Sequence, residues 1–302
     1  MMSELKPRKP LMAALMSFIL PGFGQIYNGE ANRGLLIFIG FTLCSIPLVV
    51  MIALYLPAAL TLPMLALTIL LSVGLWLYGI IDAWKKARKL SEYTLKSWQT
   101  SGAYLLIFLS AMIFILPGMT QYIRHNLVES FKIPSASMEP SVMTGDVLFA
   151  NKRYNCPQCP DAIERGDIGI FVYPNNRTQY YIKRIIALPG DRVEINQQQV
   201  FVNGRPLSRG VPEQQEGKVI VSEQLGKAEY QVQWYTSDTE DMIELIVPSG
   251  QVFVMGDNRS KTRDSREFGP VPMRDVVGKA QQIWYSKGEE GVRWDRLGML
   301  FE

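Results

Sequence analysis

The chain has 302 residues, which is long enough for two domains, and its net charge of +3 is too small to indicate a nucleic-acid-binding face. Hydrophobic residues make up 48% of the sequence, but nearly all of the long apolar runs lie before residue 120. The only histidine, His125, excludes a multi-histidine metal site and leaves a Ser/His/Asp triad with one candidate base. The composition therefore predicts an apolar N-terminal region followed by a domain of mixed, soluble type.

Four apolar stretches occupy this N-terminal region. Stretches 35–56, 58–81 and 103–119 reach or approach the length of about 20 residues that a membrane-spanning helix needs. Stretch 11–27 is shorter, is interrupted by Pro21-Gly22-Phe23-Gly24, and follows a basic N-terminus. It resembles a secretory signal but ends without a small-x-small cleavage site, so we expect it to be retained as a re-entrant or spanning segment.

Positive charge predicts the orientation of these segments. The loop after residue 81 is basic, as is the N-terminus, and both are therefore expected in the cytoplasm; the loop residues are Lys85, Lys86, Arg88, Lys89 and Lys96. Because both ends of residues 11–81 are expected on the cytoplasmic side, this region must cross the membrane an even number of times. Two crossings result if stretch 11–27 is re-entrant and the two later stretches span. The alternative is that one of the two later stretches, which contain Pro47 and Pro63, fails to cross. Stretch 103–119 leads outward in both cases. Residues 1–128 are thus predicted to form a multi-span anchor in lipid, and residues 129–302 an extracytoplasmic domain.

The second half of the chain has short alternating apolar runs that indicate β-strands. These runs lie at 147–150, 168–173, 180–187, 192–195, 200–202, 230–234, 243–247, 251–255 and 276–284. Turn sequences such as Asn203-Gly204 and Pro189-Gly190-Asp191 separate them, and no long amphipathic helix is evident. The polar stretch 213–228 is predicted to be a surface insertion or loop. The fold class is therefore an N-terminal α-helical membrane region plus a mostly-β domain.

Two segments carry candidate catalytic groups. Ser135 and Ser137 lie in Ile133-Pro-Ser-Ala-Ser-Met-Glu-Pro140, where two prolines restrict the backbone. A serine hydroxyl needs a base to remove its proton. Lys183 lies in the apolar run 180–188, where burial would lower its pKa and leave a neutral amine that can act as that base. The simpler alternatives are a turn serine and a strand lysine whose ammonium is in water.

A third segment, 256–266, is dense in Asp, Asn and Arg and follows a predicted strand. It is either a solvated polar loop or a fixed hydrogen-bond network that orients a lysine. Cys156 and Cys159 form a single CxxC, which supplies too few ligands for a structural zinc site. In an oxidising compartment these two cysteines form either a disulfide or free thiols.

Together the three segments resemble conserved boxes of the bacterial type I signal peptidase family. IPSASMEP at 133–140, followed by Gly145-Asp146, resembles the nucleophile box, and YIKRIIALPGD at 181–191 resembles the lysine box. Gly166-Asp167-Ile168 and the segment 256–266, continued by Phe268-Gly269-Pro270, resemble the remaining boxes. The resemblance extends over residues 129–285. It implies a signal-peptidase-like β fold with a Ser/Lys dyad in place of a histidine-based triad.

The resemblance also implies the role of each site residue. Ser137 is expected to be the nucleophile, Lys183 the general base, and the Ser135 hydroxyl with the Ser137 backbone N–H the oxyanion hole. Thr262 occupies the position where the family often has a serine that hydrogen-bonds the lysine. The supporting ion pairs are expected to be Asp257 with Arg184 and Asp264 with Arg266. No cofactor and no metal are implied.

The family further implies a bacterial inner-membrane enzyme with its catalytic domain on the periplasmic or extracellular side. Its substrates would be preproteins with signal peptides and small residues before the cut. The alternatives are a thiol–disulfide oxidoreductase that uses Cys156 and Cys159, a catalytically silent membrane scaffold, and a relative with one dedicated substrate. The three or four apolar segments also exceed the one or two helices that are usual in the family.

Overall fold

The computed structural model describes residues 7–45, 56, 58–155, 162–215, 217–236 and 242–301. The chain divides into two compact units, Met1–Ile123 and Arg124–Glu302. The first unit is helical, and the second is built mainly from antiparallel strands. Cys156 and Cys159 lie outside the described residues.

The helices of the first unit follow the apolar stretches of the sequence. They are α1 (Pro10–Ile19), α2 (Phe23–Tyr27), α3 (Ala31–Ser45), α4 (Ala58–Lys89) and α5 (Ser101–Leu109), which continues through a π-helical segment, Ser110–Ile115, into α6 (Leu116–Asn126). Among the described residues, Pro63–Lys89 and Ser101–Asn126 are long and apolar enough to cross a membrane. Half of stretch 35–56 lies in α3, and residues 46–55 of it are outside the described residues.

Stretch 11–27 is broken into α1 and α2 at the Pro-Gly sequence. Gly22, directly before α2, has a φ of 84°, which favours glycine. A Cβ at this position would lie 2.0 Å from the carbonyl oxygen of Gly34 at the start of α3. With its 10 residues, α1 is too short to cross a bilayer by itself.

Polar side chains join α2 to α4 inside this unit. Gln25 is fully buried and donates to the carbonyl oxygen of Gly79 (2.8 Å) and to the carboxylate of Asp82 (3.1 Å). Arg33 pairs with the same carboxylate at 2.8 Å. Because buried polar groups are stable only when they are hydrogen-bonded, these contacts fix α2 and α3 against α4.

The described residues of the second unit form three antiparallel sheets. Its strands are β1 (Val128–Lys132), β2 (Asp146–Asn151), β3 (Ile168–Val172), β4 (Tyr180–Ala187), β5 (Arg192–Asn196), β6 (Gln199–Val202), β7 (Arg205–Pro206), β8 (Ser208–Gln215), β9 (Lys218–Leu225), β10 (Ala228–Tyr235), β11 (Ile243–Ile246), β12 (Gln251–Met255), β13 (Val271–Pro272), β14 (Val276–Gly288) and β15 (Gly291–Val292). The eight-stranded sheet has the order β1-β2-β14-β3-β4-β12-β13, with β15 on β14. The smaller sheets have the orders β10-β9-β8 and β11-β5-β6-β7.

Every strand predicted from alternation is present, and the mostly-β class is confirmed. Of the two alternatives predicted for 213–228, a surface insertion or a loop, the loop is wrong, because this stretch contains the end of β8 and all of β9. Strands β8 and β9 form a hairpin with one polar face, and this polar composition is why the sequence did not predict the two strands. Val221 and Leu225 on β9 point to the other face and are buried in the core.

Two hydrophobic clusters position the segments of interest. One lies between the sheets and includes Trp234 of β10 and Phe253 of β12, both almost fully buried. The other contains Ile133, Met138 and Val142, which follow β1, packed on Leu148 of β2. The segment with the candidate serines is therefore anchored by its own apolar side chains.

Candidate active site

Lys183 lies on a central strand of the large sheet. Its strand, β4, is paired with β3 on one side and with β12 on the other, and Lys183 itself is opposite Gly169 of β3. The lysine is only 3% exposed. The alternative of a strand lysine whose ammonium is in water is therefore wrong.

The segment 133–142 is fixed at both ends by backbone hydrogen bonds. Ile133 N–H donates to the carbonyl of Asp146, and Gly145 N–H donates to the carbonyl of Ile133. Val142 N–H donates to the carbonyl of Met138, whose side chain is fully buried. These contacts leave Ser137 on a turn whose backbone has little freedom.

The two segments meet at the predicted pair. The Nζ of Lys183 and the Oγ of Ser137 are hydrogen-bonded at 2.8 Å, and Nζ also contacts the carbonyl oxygen of Ile182 at 2.9 Å. The hydroxyl of Ser135 lies 3.3 Å from the hydroxyl of Ser137. Within the described part of the chain, the Ser137 N–H donates no hydrogen bond, so it is available to an incoming oxyanion.

Burial changes the acidity of the lysine. Desolvation lowers the pKa of Lys183 to about 8, while the negative charges of Asp264 and Asp257 oppose this change. A base with a pKa near the working pH exists partly as the neutral amine and still accepts a proton readily. The geometry and the pKa together allow the amine to activate the Ser137 hydroxyl.

Asp257 and Arg184 form a buried bidentate pair. The Nε and Nη2 atoms of Arg184 donate to the two carboxylate oxygens of Asp257 at 2.8 and 2.6 Å. Arg184 also donates to the carbonyl of Gly166 and lies 3.7 Å from the centre of the Tyr230 ring. The pair thus ties β4 to the loop that follows β12.

Asp264 and Arg266 also form an ion pair in that loop, at 2.8 Å. Asp264 accepts the N–H of Arg266 as the N-cap of α7 (Ser265–Phe268) and accepts the N–H of Gly256 at 3.1 Å. Arg266 donates to the carbonyl oxygen of Arg259. The segment 256–266 is a fixed network rather than a solvated loop.

Thr262 does not make the hydrogen bond expected with the lysine. Its Oγ1 is buried and has no hydrogen-bond partner among the described residues. This oxygen lies 2.3 Å from the position that a Cβ at Gly256 would occupy, so it faces the glycine backbone.

Sequence inspection did not single out Asn258, which contacts the serine segment directly. Its N–H donates to the carbonyl of Ser137 (3.2 Å), and its Nδ2 donates to the carbonyl of Ala136 (3.0 Å). An uncharged side chain within a charged segment gave no signal for this role. His125, the alternative base, is exposed near the end of α6. The described residues contain no group of metal-ligating side chains.

Comparison with known proteins assigns the family. The family model for signal peptidase, peptidase S26, matches residues 104–285. The signal peptidase I of Pseudomonas aeruginosa is 32% identical over 208 residues, which cover 60% of this chain and 73% of that protein. The signal peptidase I of Aquifex aeolicus is 32% identical over 215 residues, covering 58% of this chain and 82% of the relative.

A solved signal peptidase I structure from Enterococcus faecalis V583 is 31% identical, with a TM-score of 0.26, and the match covers 39% of this chain and 95% of that chain. The family model and the curated relatives define the class of protein, a peptidase. The chain belongs to the signal peptidase family S26, and it is a membrane-associated serine endopeptidase that removes signal peptides.

Proposed function

We propose that Ser137 is the nucleophile of this peptidase and Lys183 its general base. The observation that supports this assignment is the 2.8 Å contact between Nζ and Oγ, made by a lysine that is 3% exposed. The Ser137 oxygen attacks the scissile carbonyl and gives its proton to the neutral amine. The protonated amine then transfers a proton to the leaving nitrogen as the C–N bond breaks.

The resulting ester is cleared by water. Lys183 accepts a proton from the water as it attacks the ester carbonyl, and the Ser137 oxygen leaves with a proton. In both steps the Ser135 hydroxyl and the Ser137 N–H stabilise the negative oxygen. The loss of one such donor typically costs about 2.7–4 kcal/mol of transition-state stabilisation.

The loop after β12 holds this arrangement in place. The Asp257–Arg184 pair holds the loop against β4, and the Asp264–Arg266 pair stabilises the loop internally. Thr262 lies in the same loop, with its hydroxyl next to Gly256. The carboxylates of Asp264 and Asp257 also limit how far the pKa of Lys183 falls. We assign these residues a supporting role without direct contact with the substrate.

The substrates are preproteins whose signal segment enters the site in extended form. Such a segment pairs with exposed strand edges beside Ser137, and shallow pockets admit small side chains before the cut. No metal or cofactor takes part, and nucleic acid is not a partner. The assignment of small residues rests on the resemblance of the boxes at 133–140 and 181–191 to the family.

The enzyme is placed in the cytoplasmic membrane of a bacterium as a multi-pass protein in contact with lipid. The two helices that can cross a membrane and the basic loop after residue 81 support this placement. Residues 1–128 serve as the membrane anchor region. Residues 129–302 form the peptidase domain on the periplasmic or extracellular side.

Preprotein cleavage by the purified full-length protein in detergent tests the dyad. Ser137→Ala and Lys183→Ala are expected to remain folded and to cut no preprotein, whereas Lys287→Ala, which removes an exposed lysine on β14, retains wild-type cleavage. Chelators are expected to leave the wild-type rate unchanged. Cleavage by either dyad variant at the wild-type rate would contradict the assignment.

A further inference from the structure

A second arginine of the active-site loop, Arg259, forms an ion pair that is almost completely buried. Arg259 is 1% exposed and its partner, Glu223 of β9, is 2% exposed. Nη1 of Arg259 donates to Oε1 of Glu223 at 2.7 Å, and Nη2 donates to the other carboxylate oxygen. The pair is therefore bidentate, the geometry in which arginine and carboxylate bind most strongly.

Such a pair is costly to bury. Removing both charges from water offsets much of their mutual attraction, so a buried ion pair contributes little net stability, although the loss of one partner is strongly destabilising. A role in fixing one particular geometry explains its presence better than a gain in stability. The geometry in question is that of the loop on which Arg259 lies.

The pair attaches the small β10-β9-β8 sheet to this loop. Glu223 is on β9, the central strand of that sheet. The neighbouring strand β10 also contacts the loop, because the backbone of Gln233 is hydrogen-bonded to the residues before and after Asn258. Arg259 N–H donates to the carbonyl of Gln233, and Gln233 N–H donates to the carbonyl of Asp257, both at 2.9 Å. The stretch 213–228, expected to be a surface insertion or loop, therefore includes a residue that contacts the active-site loop.

From Arg259 the contacts continue to the serine. Its Nε donates to the carbonyl of Gly256 at 3.2 Å. Asn258, the residue before it, holds the carbonyls of Ala136 and Ser137. A shift of Arg259 would therefore move the group that holds the backbone on either side of the nucleophile.

We propose that Glu223 and Arg259 are positioning residues, which hold the loop 256–262 against the serine segment so that Ser137 and Lys183 stay within hydrogen-bonding distance. Neither side chain contacts the two dyad atoms. This inference rests on the proposed dyad, and it makes the β10-β9-β8 sheet part of the catalytic apparatus.

The environment of Lys183 provides a readout that a purely structural role would not change. The charged groups that act on its amine are Asp264 and Asp257, each paired with an arginine, and the ring of Tyr181 lies 5.5 Å away. A loosened loop admits water to the amine. Hydration removes the main cause of the low pKa, so the pKa of Lys183 rises.

The test compares Glu223→Gln and Arg259→Lys with the wild type, as full-length proteins cutting a preprotein in detergent. In both variants kcat is expected to fall by about tenfold to a hundredfold, since a displacement of about 1 Å at the reacting atoms costs on that order. KM should change by less than about twofold, because the pair contacts no substrate. The acid limb of the kcat profile should move to higher pH.

Asp275→Asn is the matched control, because it breaks another bidentate arginine pair of the same unit, with Arg177. It is expected to leave kcat and its pH profile unchanged. If Glu223→Gln does not fold, Glu223→Asp, which keeps the charge but shortens the reach, replaces it with the same expected result.

A fall in activity that only follows the folded fraction, with an unchanged pH profile, would overturn the proposal, as would wild-type kcat or failure of both Glu223 variants to fold. Ser137→Ala and Lys183→Ala are measured in the same assay. If those two variants still cut, the proposed dyad itself fails. If they are inactive while Glu223→Gln behaves as wild type, only the positioning role fails.

Discussion

The side chain of Lys183 combines burial with a direct contact to Ser137, and these two properties support each other. Desolvation lowers the pKa of its amine to about 8, and the Ser137 oxygen replaces one of the water contacts that it gives up. The position of this lysine in an apolar run indicated burial from sequence alone. Its distance from Ser137 was not predictable from the run, because 46 residues separate them in sequence.

Replacement of Lys183 by methionine is expected to stabilise the protein near pH 7. The ordinary pKa of 10.5 applies in the unfolded chain and about 8 in the folded one, so the unfolded state binds more protons between these values. The stability of the wild type therefore rises with pH across this window. Below it, the buried ammonium costs the wild type roughly 3 kcal/mol, which Lys183→Met avoids.

The measurement is the free energy of unfolding in urea at pH 7 and pH 9.5, for both proteins in detergent. The advantage of the variant should be greatest at pH 7 and should shrink at pH 9.5. A difference that is the same at both pH values would mean that the folded pKa is not lowered.

Gly256 is the residue where space limits the site most strictly. A Cβ there would lie 2.5 Å from the Ser137 carbonyl oxygen and 2.3 Å from the Thr262 hydroxyl. We expect Gly256→Ala to displace the serine backbone and to lower kcat by about a hundredfold. Preprotein cleavage checks this, with Gly74→Ala as a control, because no atom of the described residues lies within 4 Å of a Cβ at Gly74. Equal rates for the two variants would be the contrary result.

At the scale of elements, the turn after β1 carries both a residue of the hydrophobic core and the proposed nucleophile, Ser137. Met138, next to Ser137, is fully buried with Leu148 in one hydrophobic cluster. The bracketing prolines indicated a stiff segment, and this part of the prediction needed only local sequence. The packing of Met138 under the turn depended on strands β2 and β3, which local sequence could not position.

Met138→Ala is expected to reduce stability by about 2–5 kcal/mol, the usual cost of emptying a buried site. It should also lower kcat, because the cavity lies directly beneath the nucleophile. Leu148→Ala empties the same cluster from a strand and serves as the control of similar stability cost. Unfolding in urea and preprotein cleavage are measured for both. If the two variants lose activity equally, the position of Met138 has no special effect.

The β8–β9 hairpin shows where pattern analysis fails. Strand β8 is exposed over almost its whole length and is rich in polar residues. In β9, Val219, Val221 and Leu225 alternate with other residues as expected for a strand, but the polar composition of the stretch favoured the prediction of an insertion or loop. Composition was therefore a worse guide than periodicity in this stretch. The Arg259–Glu223 pair was not predicted for the same reason. Glu223 is 36 residues from Arg259 in sequence and lies in the stretch that was expected to be an insertion or loop.

At the scale of the whole molecule, the sequence predicted two regions, one helical and one mostly of strands. The contrast between long apolar runs and short alternating ones was sufficient for this. The number of membrane spans was harder to predict than the two regions. Stretch 11–27 is apolar, but the structure breaks it after the 10-residue α1 at the Pro-Gly sequence, so the number of apolar stretches differs from the number of helices long enough to cross.

The proposed orientation predicts a labelling pattern in spheroplasts. On a background without Cys44, Cys156 and Cys159, Arg209→Cys in the peptidase unit should react with a membrane-impermeant maleimide. Ser91→Cys, after the basic end of α4, should react only when the membrane is permeabilised. Both positions are exposed, so access to reagent decides the result. The reverse pattern would place the peptidase unit in the cytoplasm.

The pH dependence of kcat/KM for preprotein cleavage tests most directly whether a neutral Lys183 activates Ser137. Because only the neutral amine can accept the proton, kcat/KM should rise tenfold per pH unit at low pH and reach half of its maximum near pH 8, the pKa of Lys183 set by burial. A rate that is independent of pH between 6 and 9, or one that reaches half-maximum near the ordinary lysine pKa of 10.5, would contradict the proposed mechanism.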